Sequence, residues 1–228
     1  MSEYVVAPLP PVVLPIAGIG AFPVRRVFCV GRNYAEHARE MGHDPDREPP
    51  FFFSKPADAL VAGDADVPYP PRTQDLHFEV ELVAAIWKEG SDIDPETALT
   101  HVWGYGVGID LTRRDLQAEA KKAGRPWDMA KGFDASAPIG KLMPVDQIGH
   151  RKTGAITLKV NGEIRQSADI SDMIWSPAET IAHLSGLVRL MPGDLVFTGT
   201  PAGVGACRRG DLLEGEVEGI GTVTARIV

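Results

Sequence analysis

Positive charge is in short supply in this chain of 228 residues: 23 lysines and arginines face 31 aspartates and glutamates, for a formal net charge of −8. That balance excludes a nucleic acid as the main partner, because no basic excess exists to displace the counterions of a phosphate backbone. Cysteine is scarce too. Cys29 and Cys207 lie far apart, and Cys29 sits inside the apolar run VFCVG, where a buried free thiol is the usual occupant; a reducing cytoplasm is the expected compartment. Long unbroken apolar runs are also missing. YVVAPLPPVVLPIAGIGAF is hydrophobic, but Pro8, Pro10, Pro11 and Pro15 interrupt it and Pro23 follows it, whereas a membrane-spanning helix needs about 20 consecutive apolar residues. No membrane partner is expected, and residues 1–23 read as an extended arm packed on the surface or on a partner subunit. The 24 glycines and 19 prolines follow no period, so neither repeats nor a linker divide the remainder.

What is present is an ordinary globular composition, 44% hydrophobic and 24% charged, enough to bury one core over 24–228 as a single domain. Strand signals outnumber helix signals. RVFCVG, PFFFS, LHFEVELVAAI, VWGYGVGI, AITLKV, EIRQS, DLVFT and TVTARIV are short, rich in valine, isoleucine and aromatics, and bounded by glycine or proline. Asn161-Gly162 between two of them predicts a tight hairpin. Three helices are legible: DPETALTH with Asp94 as cap, TRRDLQAEAKKAG from a Thr112 cap to Gly124, and SPAETIAHLSGLV with a capping box of Ser176 and Glu179. NYAEHAREMG predicts a fourth, short one. The expected fold class is a β-rich α+β domain.

In LHFEVELVAAI the acids Glu79 and Glu81 fall two apart, so in an extended strand they project from one face with His77 beside them. That face turns apolar at Val83, Ala85 and Trp87, which predicts the rim of a pocket. A strand with one solvated face carries the same pattern. Two carboxylates about 6 Å apart repel by roughly 3 kcal/mol at an effective dielectric near 20, so a half-buried pair calls for a cation. Asp110 supplies a third acid where VWGYGVGID turns into the helix at Thr112. An all-oxygen set without cysteine matches Mg²⁺ or Mn²⁺, with Ca²⁺ as a further candidate.

His37 and Glu40, three apart on the short helix, suit a carboxylate that fixes an imidazole tautomer for general-base work; an exposed surface pair has the same spacing. GTPAGVG, residues 199–205, lacks the Lys-Ser or Lys-Thr of a phosphate loop, but a glycine turn there would offer backbone N–H groups from Gly199 onward, and the Thr200 hydroxyl, to an anionic oxygen. Lys131 stands in an uncharged strip, unlike Lys121 and Lys122, which read as a solvated pair. It is a candidate to hold a carboxylate or an enolate.

Taken in order, GRNYAEHAREMG, FFFSKPADAL, HFEVEL, GYGVGIDLTRRDLQ, GRPWDMAKGFDASAPIG, VNGEIRQ and GDLVFTGTPAGVG resemble the signature blocks of the fumarylacetoacetate hydrolase family, from about Val24 to Val228. The resemblance implies a mixed β-sandwich roll of that family's C-terminal-domain type, a homodimer, and Mg²⁺ or Mn²⁺ held by Glu79, Glu81 and Asp110. It also implies His37 with Glu40 as the water-activating dyad, and Lys131, Gln117, Arg114, Arg32 and Thr200 as substrate contacts. Within the family the blocks are most like short bacterial fumarylpyruvate hydrolases of gentisate breakdown, an aromatic catabolic route, and next most like acylpyruvases that also decarboxylate oxaloacetate. The implied activity is cleavage of the C–C bond of a 3-acylpyruvate, fumarylpyruvate giving fumarate and pyruvate. Oxaloacetate decarboxylation or isomerisation of a 2-oxo acid on the same metal is the alternative, and a binding protein without turnover is the alternative of another class. Arg25, Arg26, Arg32 and Arg125 are open partners for a distal carboxylate, and His77 is expected to support the acids rather than ligate.

Overall fold

The computed structural model describes residues 4–18, 20–40 and 48–228. Short strands bounded by glycine and proline assemble into an eight-stranded mixed sheet. Its central path runs Phe51–Lys55, Arg26–Gly31, Asp194–Phe197, Val80–Ile86, Val102–Ile109, Ala137–Ile139 and Leu60–Ala62, with Met143–Pro144 also pairing to Val102–Ile109. A five-stranded sheet packs on one face, in the order Glu163–Asp169, Ala155–Val160, Leu212–Val217, Gly221–Ile227 and Ala65–Val67. Asn161 and Gly162 both have positive φ (53° and 82°), as a two-residue hairpin turn between twisted strands requires.

The alternation of Val80–Ile86 divides two cores. Val80, Leu82, Ala84 and Ile86 meet Leu158, Leu213 and Val223 of the five-stranded sheet, and helix Pro177–Leu187 adds Ile181 and Leu184 to that layer. Val83 and Ala85 face the other way, onto Leu14, Val27, Leu142 and Leu195. Both faces are therefore dry, and the acids sit at the end of the second one. Trp87, expected to continue the buried face, is 56% exposed, because the strand ends at Ile86.

Several expectations need correction. LHFEVELVAAI is two strands, since Leu76–Phe78 belongs to a separate three-stranded sheet with Thr112–Arg113 and Gly205–Cys207, and the chain changes sheets at Glu79. DPETALTH forms turns and a 3₁₀ segment, Ala98–His101, because the Asp94 carboxylate takes the Glu96 N–H (2.8 Å) and the Asp94 carbonyl the Thr97 N–H (3.0 Å), closing a tighter turn. Thr112 is a strand residue, so the next helix begins at Arg114 and runs to Lys122. Ser176 and Glu179 do form the reciprocal capping box. Of NYAEHAREMG, Ala35–Glu40 is helical and Met41 and Gly42 lie outside the described residues. The segment expected as an extended arm contains a hairpin, Val13–Pro15 on Ala21–Pro23, that buries Leu14 and Phe22 in the second core. No helix among the described residues is long and apolar enough to cross a membrane.

Candidate active site

The change of sheet at Glu79 builds the site. Glu79 sits between the two strands, Glu81 points from the same face, and Asp110 leaves Val102–Ile109 with its N–H donated to the Glu79 carbonyl (2.8 Å). All three side chains are buried, and one oxygen of each lies within 4.8 Å of the others. Lys131, at the end of the short helix Asp128–Lys131, donates to Glu79 Oε2 and Asp110 Oδ2, each at 2.6 Å. Arg114 pairs with the other Glu79 oxygen and donates to Gln117 Oε1 at 2.6 Å. Burial raises the Glu79 carboxyl, but the Lys131 ammonium and Arg114 guanidinium outweigh it and hold it below the ordinary carboxylate range. The same two carboxylates, acting against burial, raise Lys131.

Glu81 is treated differently. It accepts the Gly199 N–H (2.7 Å), and among the described residues no ion pair reaches it. Burial first, then the charges of Asp110 and Glu79, push its carboxyl well above the ordinary value. The cluster thus lacks one cation where Glu81 points, and its donors are hard oxygens. This set suits Mg²⁺ or Mn²⁺ and gives no reason to expect a thiophilic metal.

His37, on helix Ala35–Glu40, is 7% exposed and lines the same pocket as Glu79, Glu81 and Lys131. Burial lowers its basicity and outweighs the opposing charges of Glu79 and Glu40. Its Nδ1 lies 3.6 Å from Glu40 Oε2, beyond a hydrogen bond; Glu40 instead accepts the Gly203 N–H at 3.0 and 3.1 Å. Gly203 has φ +91°, and a Cβ there would sit 2.0 Å from the Arg165 carbonyl oxygen, so the turn that reaches Glu40 needs glycine.

The glycine loop serves the protein's own carboxylates. Gly199, expected to bind an external anion, gives its N–H to Glu81. Thr200 lines the pocket; its Oγ1 accepts from Gln166 Nε2 (2.8 Å), leaving its hydroxyl hydrogen to donate. Gln117 and Arg32 line the pocket as well. Arg25 and Arg26 do not, because both pair with buried Asp194 (3.3 and 2.7 Å); Arg125 is exposed and not among the lining residues. His77 takes a hydrogen bond from Arg114 Nε (3.4 Å) and pairs with Asp75 (2.8 Å), one step removed from Glu79.

Three further residues belong to the site. Lys55, fully buried, lies 2.8 Å from Asp110 Oδ1 and donates to the carbonyls of Leu111 (3.1 Å), Ser136 (3.0 Å) and Lys131. Its signal was a charge ending the apolar strand FFFSK. Asn33 clamps the loop before the helix through the Trp175 and Thr198 carbonyls (2.8 and 2.7 Å). Lys121 lines the pocket half-buried, in contrast to the solvated pair expected there.

Residues 26–228 match the fumarylacetoacetate hydrolase C-terminal family. The chain belongs to that family. A crystal structure of fumarylpyruvate hydrolase from Pseudomonas aeruginosa, in complex with Mn²⁺ and pyruvate, is 56% identical, covers 99% of both chains and superposes with a TM-score of 0.97. Fumarylpyruvate hydrolase of a Ralstonia species is 42% identical over 189 residues, 82% of this chain and 98% of that one. The mitochondrial oxaloacetate decarboxylase of Dictyostelium discoideum is 38% identical over 199 residues, 87% and 91% of the two chains. The sandwich roll of this chain is thus the fumarylacetoacetate hydrolase fold, with its acidic cluster at the pocket floor.

Proposed function

We propose that the chain hydrolyses the C–C bond of a 3-acylpyruvate, fumarylpyruvate yielding fumarate and pyruvate. The observation that carries this reading is Glu81, a buried carboxyl with no ion-pair partner among the described residues, beside Glu79 and Asp110 in a pocket bounded by Lys131, Arg114 and His37. Likeness to the Pseudomonas aeruginosa enzyme, solved with Mn²⁺ and pyruvate, supports it.

Glu79, Glu81 and Asp110 would hold Mg²⁺ or Mn²⁺, which when bound supplies Lewis-acid charge to the oxygens at the pyruvoyl end. The chain's own charges leave room for that. Three carboxylates face three cations (Lys55, Lys131 and Arg114), so a divalent ion makes the floor doubly positive, a match for a pyruvate enolate dianion. Lys131 and the Thr200 hydroxyl bind the anionic end, and Arg114 orients Gln117 toward it. His37, kept neutral by burial, accepts a proton from water as its oxygen adds to the acyl carbonyl. The bond between that carbon and C3 then breaks, the electron pair passes into the pyruvate enolate, and protonation at C3 completes the products. Glu40 turns the imidazole once the 3.6 Å gap closes on substrate.

The reading extends to a cytoplasmic homodimer in gentisate breakdown. Two buried free thiols support a reducing compartment, and the exposed apolar strip Tyr4, Val5, Val6 and Leu9 supports a partner surface. A second reading, decarboxylation or isomerisation of a 2-oxo acid such as oxaloacetate, has the Dictyostelium relative in its favour and needs the metal but no attacking water. Loss of ultraviolet absorbance for fumarylpyruvate, acetylpyruvate and oxaloacetate, each with Mg²⁺ or Mn²⁺, tests the choice. Turnover of oxaloacetate without cleavage of either acylpyruvate would reject hydrolysis.

A further inference from the structure

The pocket carries two cations that no carboxylate among the described residues neutralises. Arg32 and Lys121 both line it, and among the described residues neither side chain has an ion-pair or hydrogen-bond partner. Each lies instead over an aromatic ring. The Arg32 guanidinium carbon is 5.3 Å from the Phe51 centroid, Lys121 Nζ is 5.1 Å from that of Trp127, and the two rings meet edge to face at 5.4 Å. Phe53, 6.0 Å from Trp127, extends this wall inward to Lys131, whose Nζ is 5.0 Å from its ring. An aromatic wall therefore joins the metal end of the pocket to a pair of cations at the other.

The backbone is bent to make this arrangement. A Cβ on Gly31 would sit 2.1 Å from Phe51 Cζ, so the ring lies on bare backbone, and Arg32 itself has φ +56°, a left-handed conformation uncommon for a residue with a long side chain. A ring face is a weaker counterpart for a cation than a carboxylate. Burial, then the charges of Arg114 and Arg32, also lower the Lys121 ammonium below its ordinary value, so these cations crowd one another and an anion between them would relieve it.

We infer that Arg32 and Lys121 form the receptor for a second carboxylate on the acyl end of the substrate, with the Phe51 and Trp127 rings packing on a flat unsaturated link. The pocket then selects dicarboxylic acylpyruvates over those ending in an alkyl group. This inference rests on the acylpyruvate reading above.

The test compares kcat/KM for fumarylpyruvate and for acetylpyruvate, which lacks the distal carboxylate, in the Mn²⁺-loaded wild type and in Arg32→Asn, Lys121→Met and the double variant. Asparagine is chosen because it tolerates the left-handed backbone of position 32. Each single change should lower the fumaryl-to-acetyl ratio by about 10- to 100-fold, the value of a hydrogen bond to a charged group. Arg32→Lys and Lys121→Arg should restore most of the ratio, a rescue that a merely structural role would not produce. A ratio unchanged in all variants, or equal losses on both substrates, overturns the inference and leaves acylpyruvate hydrolysis standing. A wild type that cleaves neither acylpyruvate rejects the underlying function instead.

Discussion

Replacing Lys55 by methionine should cost about 3–5 kcal/mol of folding stability, the typical penalty for removing one partner of a buried ion pair. The Lys55 side chain is fully buried, with Nζ 2.8 Å from Asp110 Oδ1 and donating to the carbonyls of Leu111, Ser136 and Lys131. Methionine fills much of the same volume, so the change isolates the charge and the hydrogen bonds rather than a cavity. Asp110 keeps Lys131 at 2.6 Å, which pulls the cost toward the lower end. The buried Leu111 carbonyl, left without a donor at about 1 kcal/mol or more, pulls it toward the upper, whereas the Ser136 and Lys131 carbonyls keep the Leu111 N–H and the Ser136 hydroxyl, each at 3.0 Å. For a chain of this size about 2–4 °C of melting temperature corresponds to each kcal/mol, so the midpoint should fall by roughly 6–20 °C. Urea unfolding of the metal-free variant against wild type measures it. A loss under about 1 kcal/mol would refute the view that Lys55 neutralises Asp110 and ties three loops together at the pocket floor.

Glu79→Ala should abolish Mn²⁺ binding in a calorimetric titration, and undiminished affinity would sink the ligand assignment. His37→Ala should lower hydrolysis by about 10²-fold or more while Mn²⁺ still binds, since general-base catalysis is typically worth that much; full activity would remove the base. Gly203→Ala forces φ +91° on alanine and drives its Cβ to 2.0 Å from the Arg165 carbonyl, so a loss of about 1–3 kcal/mol is expected in urea, and an unchanged midpoint would contradict the close approach. Burial pushes the Cys207 thiol up to about 12, so a disulfide reagent at pH 8 should leave it unmodified in the native protein and reach both cysteines in denaturant. The stability held in that raised value is full below 9.0 and declines as the pH climbs toward about 12, because the unfolded chain has by then lost the proton the fold retains.

Local signals were legible where one interaction decides the backbone. The Asn161-Gly162 turn, the Ser176 and Glu179 capping box and the Gly124 stop each depend on neighbours within four residues, and each is present as read. DPETALTH failed because Asp94 competes for nearby N–H groups, an outcome that the propensities of its residues do not contain. The pairing of Glu79 with Asp110 could be anticipated, since both lie at ends of apolar strands. Which cations meet them could not. Lys131 reads as a lone lysine and Lys55 as the end of a strand, yet their contacts with Asp110 join positions 21 and 55 residues apart in sequence.

The sequence by itself determined a β-rich domain, acids with hard oxygen donors at strand ends and a resemblance to a family. The domain class and the acids follow from side-chain chemistry and from periods of two and 3.6 residues, which are properties of short stretches; the family was read from the resemblance of its signature blocks. Only the tertiary structure decided that the acidic strand changes sheets at Glu79, that Gly199 serves Glu81, that Arg25 and Arg26 pair with Asp194, and that Arg32 and Lys121 line the pocket without an ion-pair partner among the described residues. The reason is physical: a charge is defined chemically by its own side chain, but whether it is paired, buried or available depends on groups brought beside it from distant parts of the chain.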